Sequence, residues 1–310
     1  MKSLKTPLRY PGGKSRAVVK LFQYLPDMSN ITEFREPFLG GGSMSIAISK
    51  QYPDIPVWVN DLYNPLYTFW CVLRDQPQDL YDALKGYKED LGPVPDKKAN
   101  EQEPEEIEEE EEVENKEFEE YYDKGRELFN QMKIGINHPE ADDLYRATAF
   151  YILNKCSFSG LTENSSFSPQ ASISNFSMNN IDKIPGYGEI VKDWKITNLS
   201  YEKLLTDDRS VFVYLDPPYD IKDNLYGRKG SMHKGFDHDK FAIDCDRHIC
   251  PQLVSYNSSN LVKNRFDGWR SVDFAHTYTM RSDKKYTSGQ ESRHELVLIN
   301  YNSDGLEDTP

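Results

Sequence analysis

The stretch "VFVYLDPPYD", Val211–Asp220, decides how this chain is read. Its first five residues are β-branched, aromatic or aliphatic and carry no charge, the composition of a strand buried on both faces. Pro217 and Pro218 then lack the backbone N–H that would continue a ladder, so the strand stops at Asp216. A carboxylate, Asp216, and a ring, Tyr219, are left on a stiff turn at the strand's carboxyl end, where open α/β sheets bind ligands.

Working outward, "ITEFREPFLGGGSMSIAISK" (Ile31–Lys50) reads as strand, glycine turn and helix, with Ser43 placed to cap the helix. "IPVWVND" (Ile55–Asp61) is a second strand, and "LYNPLYTFWCVLRD" (Leu62–Asp75) a helix with an aromatic face. After Val211–Leu215, further strands fall in "LVSYNSS", "WRSVDFAHTYT" and "ELVLINY". Between about Gln76 and Tyr187 the alternation breaks into helical patterns (Tyr121–Met132, Asp142–Asn154) and a Ser/Asn-rich stretch. The expected organisation is a mostly parallel α/β sheet from residues 1–75 and 191–310, interrupted by an inserted, mainly helical domain over 76–190.

The formal charge of −14 argues against a polyanionic partner only until it is located. Glu101–Asp123 holds fourteen acidic residues and one lysine, a net −13, so the rest of the chain is near neutral. So dense a glutamate run reads as a solvated, disordered loop over 95–123. Four cysteines (Cys71, Cys156, Cys245, Cys250) match no zinc spacing, and the histidines form no cluster, so no metal is expected. With no signal-like N-terminus and no membrane-length apolar run, a cytoplasmic protein with no membrane partner is expected.

Two further constellations carry chemistry. In "EPFLGGGS", Glu36–Ser43, glycines between strand and helix allow positive φ and close approach of a ligand to the backbone. Asp61 ends the next strand, where an acid can accept hydrogen bonds from ribose hydroxyls. The full dinucleotide fingerprint is absent, since Ser45 takes the third glycine's place, which argues against a nicotinamide or flavin enzyme. In "RYPGGKSR", Arg9–Arg16, the "GKS" lacks the first glycine of a phosphate loop, because Leu8 stands there.

Taken in order, "RYPGGKSR", "EPFLGGGS", "VND", "NKCSFSGL", "FVYLDPPY" and "SRHELVLINY" resemble blocks of the Dam-type DNA N6-adenine methyltransferases. The resemblance implies a Rossmann-like class I methyltransferase sheet, S-adenosylmethionine as cofactor, double-stranded DNA as partner, and an inserted target-recognition domain. It implies a monomer or a weak dimer on DNA. The family pattern brings the cofactor's methionine part near Tyr10, Lys14, Phe38 and Gly40, in a site that also takes in Gly12, Glu36, Pro37, Gly42 and Ser43. Asp61 falls at the ribose, Leu199 beside the adenine ring, and Asp216 between cofactor and target base. The block Asn154, Lys155, Ser157, Phe158, Ser159, Gly160 corresponds to the DNA-recognition segment, and Arg9 to a basic residue that reaches DNA. Where GATC-reading members carry a guanine-reading arginine, this chain has Glu163, which cannot donate to guanine O6 and N7, so GATC specificity is not carried over. Restriction–modification, epigenetic marking and self-protection of a phage genome are all compatible with the resemblance.

The chemistry explains the residues. An adenine amino group is conjugated with its ring, so acceptors that draw its two protons aside favour a nucleophilic nitrogen. Asp216 offers a carboxylate and Pro217 a backbone carbonyl, which Pro218 helps to hold rigid. A base inside a duplex cannot reach such a turn, so it is flipped out, and the Tyr219 ring is a platform for it to stack on. Arg281, Lys284 and Lys285, in a loop before the last strand, are candidates for phosphate contacts. A cytosine N4-methyltransferase and a silent DNA-binding protein of the same fold are the alternative readings; serine is commoner than aspartate before "PPY" in the former.

Overall fold

The structure is a computed structural model that describes residues 6–9, 17–95, 104–160, 165–219, 235–275 and 294–302. Its strands are β1 (Glu33–Glu36), β2 (Val57–Asn60), β3 (Lys195–Thr197), β4 (Val211–Leu215), β5 (Gln252–Asn257), β6 (Arg270–Ala275) and β7 (His294–Ile299). Its α-helices are α1 (Val18–Leu21), α2 (Ser43–Gln51), α3 (Asn64–Asp75), α4 (Pro77–Asp90), α5 (Pro104–Gly135), α6 (Asp143–Cys156), α7 (Pro169–Ser174), α8 (Met178–Ile181), α9 (Ile184–Val191), α10 (His238–Asp246) and α11 (Asn260–Arg265).

The chain forms two compact units. One takes in Tyr10–Tyr67 and Ile190–Pro310 and holds a seven-stranded sheet ordered β3-β2-β1-β4-β5-β7-β6. Strands β3, β2, β1, β4 and β5 run parallel, while β7 is antiparallel to both β5 and β6. All five residues of β4 are buried, as its uncharged sequence requires of a central strand. The chain steps outward from β1 to β2 and β3, then returns to the other side of β1 with β4. That reversal makes a topological switch point between the carboxyl ends of β1 and β4, the place where open α/β sheets bind ligands. Strand β3 escapes sequence reading because it is three residues long and only Ile196 is buried.

The second unit comprises Pro7–Arg9 and Thr68–Glu189 and is built of helices. It begins at Thr68, ahead of the expected residue 76, because the second half of α3 belongs to its core: the Phe69 ring lies 5.8 Å from Phe150 and 6.1 Å from Tyr151. The expectation of an irregular acidic loop over 95–123 is corrected for residues 104–123, which are helical as the first part of α5; residues 96–103 lie outside the described residues. Glutamate is a good helix former, and negative charge is favourable near a helix N-terminus. The later part of α5 is anchored by buried Tyr121, Leu128, Phe129 and Met132, and an anchored helix extends at one hydrogen bond per added residue. The Lys88 ammonium, buried on α4, donates to the Tyr121 hydroxyl and adds a second tie.

Close packing fixes one glycine here. A Cβ on Gly188 of α9 would lie 2.5 Å from the Pro77 Cβ and 3.1 Å from the Leu73 carbonyl oxygen. Gly188→Ala is therefore expected to destabilise the helical unit by about 1–3 kcal/mol through overpacking. Urea unfolding followed by circular dichroism checks this; an unchanged midpoint would show that α9 shifts freely.

Candidate active site at the switch point

A cavity of about 330 Å³ opens at the carboxyl ends of β1, β2 and β4. Glu36, Pro37, Phe38, Gly40, Gly42, Ser43, Asp61, Leu199, Asp216, Pro217, Pro218 and Tyr219 all line it. Sequence reading assigned every one of these to cofactor or catalysis. Tyr10, Gly12 and Lys14, also expected here, lie outside the described residues.

The glycine turn is built backward from its helix. Gly40 and Gly42 have φ of 49° and 68°, the left-handed region that glycine enters without steric cost. Gly42 is the N-cap of α2, so Ser43, expected to cap it, is instead the first residue of the helix. The orphan amide of the first turn is satisfied from outside the helix: the Ser45 N–H donates to Glu36 Oε2 at 3.0 Å, and the Ser45 hydroxyl donates to the same oxygen. Glu36, 3% exposed, thus joins the end of β1 to the start of α2.

The neighbouring acid is held in the same way. Asp61 accepts from the Gly40 N–H through Oδ2 and from the Tyr63 N–H through Oδ1, both at 2.9 Å. Asn60, quoted in "VND" but given no role by sequence, is the joint behind it. Its amide donates to the Pro37 and Leu199 carbonyls at 3.1 and 2.9 Å, and its oxygen accepts from the Leu199 N–H at 2.8 Å and the Thr197 hydroxyl at 2.9 Å. One buried side chain therefore ties the loops after β1 and β3 to the end of β2.

On the opposite wall, Asp216 Oδ1 accepts from the Ser255 hydroxyl at 3.0 Å, and Ser255 is itself 2.9 Å from the Tyr214 hydroxyl. The Tyr219 hydroxyl donates to Glu295 Oε2 at 2.7 Å, and its ring stacks on Tyr256 with centroids 5.8 Å apart and planes at 20°. Burial, with Asp216 and Glu295 adding to it, holds the Tyr219 phenol well above its ordinary pKa, so it is a neutral donor. Phe38 stacks on Tyr201 at 5.5 Å and meets Phe236 and Phe241 edge-on at 5.8 and 5.9 Å, which makes one wall aromatic. Tyr201 and Phe236 line the cavity but follow from no local motif.

The charge of the site is acidic. Burial pushes the Glu36 carboxyl from 4.5 up to about 8, against the Ser45 hydrogen bonds that oppose it and with nearby Asp216 and Asp61 adding to it. Burial likewise raises Asp61 from 3.8 to about 6, opposed by its bonds from Gly40 and Tyr63. The cavity's lysine, Lys240, is engaged by Glu202 at 2.6 Å and by Asp244. A ligand carrying positive charge suits such a lining. Among the described residues, no group of three or more His, Cys, Asp or Glu side chains is arranged to hold a metal ion. Nor, among them, is any helix long and apolar enough to cross a membrane.

In the helical unit, the residues expected to meet DNA gather around one loop. The Asn154 amide donates to the Arg9 carbonyl at 2.5 Å and to the Gly160 carbonyl at 3.2 Å, while its oxygen accepts from the Arg9 N–H at 2.8 Å. The Arg9 guanidinium donates to the Ser157 carbonyl at 2.9 Å and the Lys155 carbonyl at 3.5 Å. Gly160 has a φ of 74°, and a Cβ there would lie 2.5 Å from the Arg9 carbonyl oxygen. Asn154 and Ser157 are fully buried and Lys155 is 6% exposed, its ammonium 5.1 Å from the Tyr151 ring centre and its pKa lowered by burial to about 7. These side chains frame the loop from within, and Phe158, 61% exposed, is presented to solvent. Arg281, Lys284, Lys285 and Glu163 lie outside the described residues, as does the side chain of Ser159.

Residues 10–281 match the family of D12 class N6 adenine-specific DNA methyltransferases, and the chain belongs to that family. It is also similar, at 24% identity over 96% of its length and 99% of the relative's, to the type II methyltransferase M.MjaIII of Methanocaldococcus jannaschii. A second relative is the type II methyltransferase M.CviBI of Paramecium bursaria Chlorella virus NC1A, 21% identical over 96% of this chain and 100% of that one. The geometry above is thus that of a DNA methyltransferase.

The raised carboxyls set a pH dependence. Between 4.5 and about 8 for Glu36, and between 3.8 and about 6 for Asp61, the folded chain binds more protons than the unfolded one. Their contribution to stability is complete at low pH and is lost as pH rises through those windows. Glu36→Gln keeps an acceptor for Ser45 and removes the ionisation. The variant is expected to lose less stability than the parent between about pH 5 and 8, and to be the more stable by a few kcal/mol at the upper end, at about 1.4 kcal/mol per pKa unit. Thermal melts of the ligand-free protein check this, and parallel curves would remove Glu36 from the account.

Proposed function

We propose that this chain methylates the exocyclic N6 of an adenine extruded from a short duplex recognition sequence, with S-adenosylmethionine as the donor. The observation that carries this reading is the meeting, in one cavity, of the Gly40–Gly42 turn, Asp61 and the Asp216–Tyr219 turn. The residues present fit the cofactor. The cavity is within the range of small-molecule sites, its wall at Phe38 and Tyr201 is aromatic, and Asp61 and Asp216 complement a sulfonium cation. Each Asp61 oxygen accepts one backbone hydrogen bond and keeps a second lone pair for a ribose hydroxyl. S-adenosylmethionine, when bound, supplies an electrophilic methyl group.

The protein's own part is orientation and proton management. Ser255 holds the Asp216 carboxylate, which accepts an amino proton of the target base. Asp216 takes that proton as the amine becomes acidic, and the Pro217 carbonyl accepts the second N–H. Tyr219 stacks on the base, at roughly 1–3 kcal/mol, which offsets part of the cost of extrusion. DNA contact belongs to the helical unit, through Phe158 and the loop that Arg9 and Asn154 brace.

The test is incubation with methyl-labelled S-adenosylmethionine and mixed-sequence unmodified duplex DNA, followed by nucleoside analysis. Label is expected in N6-methyldeoxyadenosine, and Asp216→Ala is expected to lower its rate by about 10²–10⁴-fold while cofactor binding persists. Label in N4-methylcytosine would overturn the choice of base. No label with cofactor bound would point to a silent binder.

A further inference from the structure

Glu295 is a carboxylate on the second residue of β7, in a strand whose next four residues, Leu296 to Ile299, are buried and apolar. It is 2% exposed and sits opposite Asn257 at the carboxyl end of β5. Ionised carboxylates are costly in such surroundings, and a leucine or valine would pack a sheet interior equally well. Its bond from the Tyr219 hydroxyl, at 2.7 Å, gives the acid a use. Tyr219 is the end of the turn that lines the cavity, and none of the chemistry above draws on Glu295.

The ring of Tyr219 is constrained at three points. Pro217 and Pro218 fix the backbone leading to it. Tyr256 of β5 covers one face at 5.8 Å and 20°, and Tyr256 is itself held by a hydrogen bond between its hydroxyl and His238 Nδ1 at the start of α10. Glu295 anchors the far end of the ring. A ring stacked on a neighbour and anchored at its hydroxyl has its plane set by those two contacts.

We propose that Glu295 is a positioning residue that sets the plane of the Tyr219 ring, so that an extruded base stacks on the face opposite Tyr256. This rests on the reading of Tyr219 as the stacking platform. A hydrogen bond from a neutral donor to a buried carboxylate is among the stronger kinds, and its loss leaves the ring free to tilt out of the stacking plane.

The experiment uses the full chain and the duplex mapped by labelling, with the methylated adenine replaced by 2-aminopurine, whose fluorescence rises when it leaves the base stack. Glu295→Ala and Tyr219→Phe are each expected to lower kcat and the fluorescence gain by about ten- to a hundred-fold. The double variant is expected to be no worse than either, since both remove one bond. Glu295→Gln, which still offers an acceptor, is expected to recover most of the loss. Cofactor affinity, measured by calorimetry, is expected to stay near the parent's in both variants, while Tyr219→Phe, which takes a donor from a buried carboxylate, is expected to melt at a lower temperature. If Tyr219→Ala is impaired while Glu295→Ala and Tyr219→Phe are not, stacking stands and the positioning role is wrong. If Tyr219→Ala itself flips and methylates normally, the stacking reading falls and takes this inference with it. Loss of cofactor affinity and stability together in Glu295→Ala, without rescue by glutamine, would make Glu295 a packing residue and overturn the proposal.

Discussion

A single buried carboxylate organises one wall of the cavity in this methyltransferase. Glu36 ends β1, yet its oxygen satisfies the backbone of α2 through Ser45. A helix start left without that bond would hold unpaired donors beside the sheet, so the tie fixes both the exit of the strand and the entry of the helix. The three glycines between them are then free to take whatever path closes the gap, including the two left-handed residues Gly40 and Gly42. The amide of Gly40 in turn donates to Asp61, so the end of β2 inherits the geometry.

The opposite wall follows the same logic with different chemistry. Prolines stop β4, and side chains from β5 and β7 take over where backbone pairing ends: Ser255 holds Asp216, Tyr256 supports Tyr219, and Glu295 anchors it. Strands β5 and β7 pair in antiparallel fashion, which sets Glu295 beside the carboxyl end of β5. The reversal of β7 in an otherwise parallel neighbourhood is therefore what delivers an early residue of one strand to the functional edge of the sheet.

Much of this was legible in the sequence, and the limit is physical. The β4 strand and its turn, the glycine loop and Asp61 are local: β-branched runs, prolines and glycines act on their immediate neighbours, and the cavity collects nearly all of these residues. What stayed hidden depends on partners distant along the chain. Nothing near Asn60 announces that it will bond to Leu199, and Ser43 was read as the cap because capping is normally sequential, whereas it is Glu36 that meets the Ser45 amide. The acidic run was misread for a related reason. Its charge and prolines speak for a loop, whereas its helix depends on the buried Tyr121–Met132 segment that follows. Arg9 and Asn154 were read as DNA contacts, and no local pattern announced that they bond to each other across 145 residues.

That long tie bears on how the chain is made. As residues emerge from the ribosome in order, β1 and β2 appear first but lack their parallel neighbours β3 and β4 until after residue 190. The helical unit, by contrast, is complete once Glu189 has emerged, because Pro7–Arg9 is already available to close on Asn154. Vectorial synthesis therefore favours completing the helical unit while the sheet still waits for its second half. A fragment cut at the apparent boundaries of the insertion would lose the Pro7–Arg9 segment, and with it the backbone that Asn154 and Gly160 are shaped to receive.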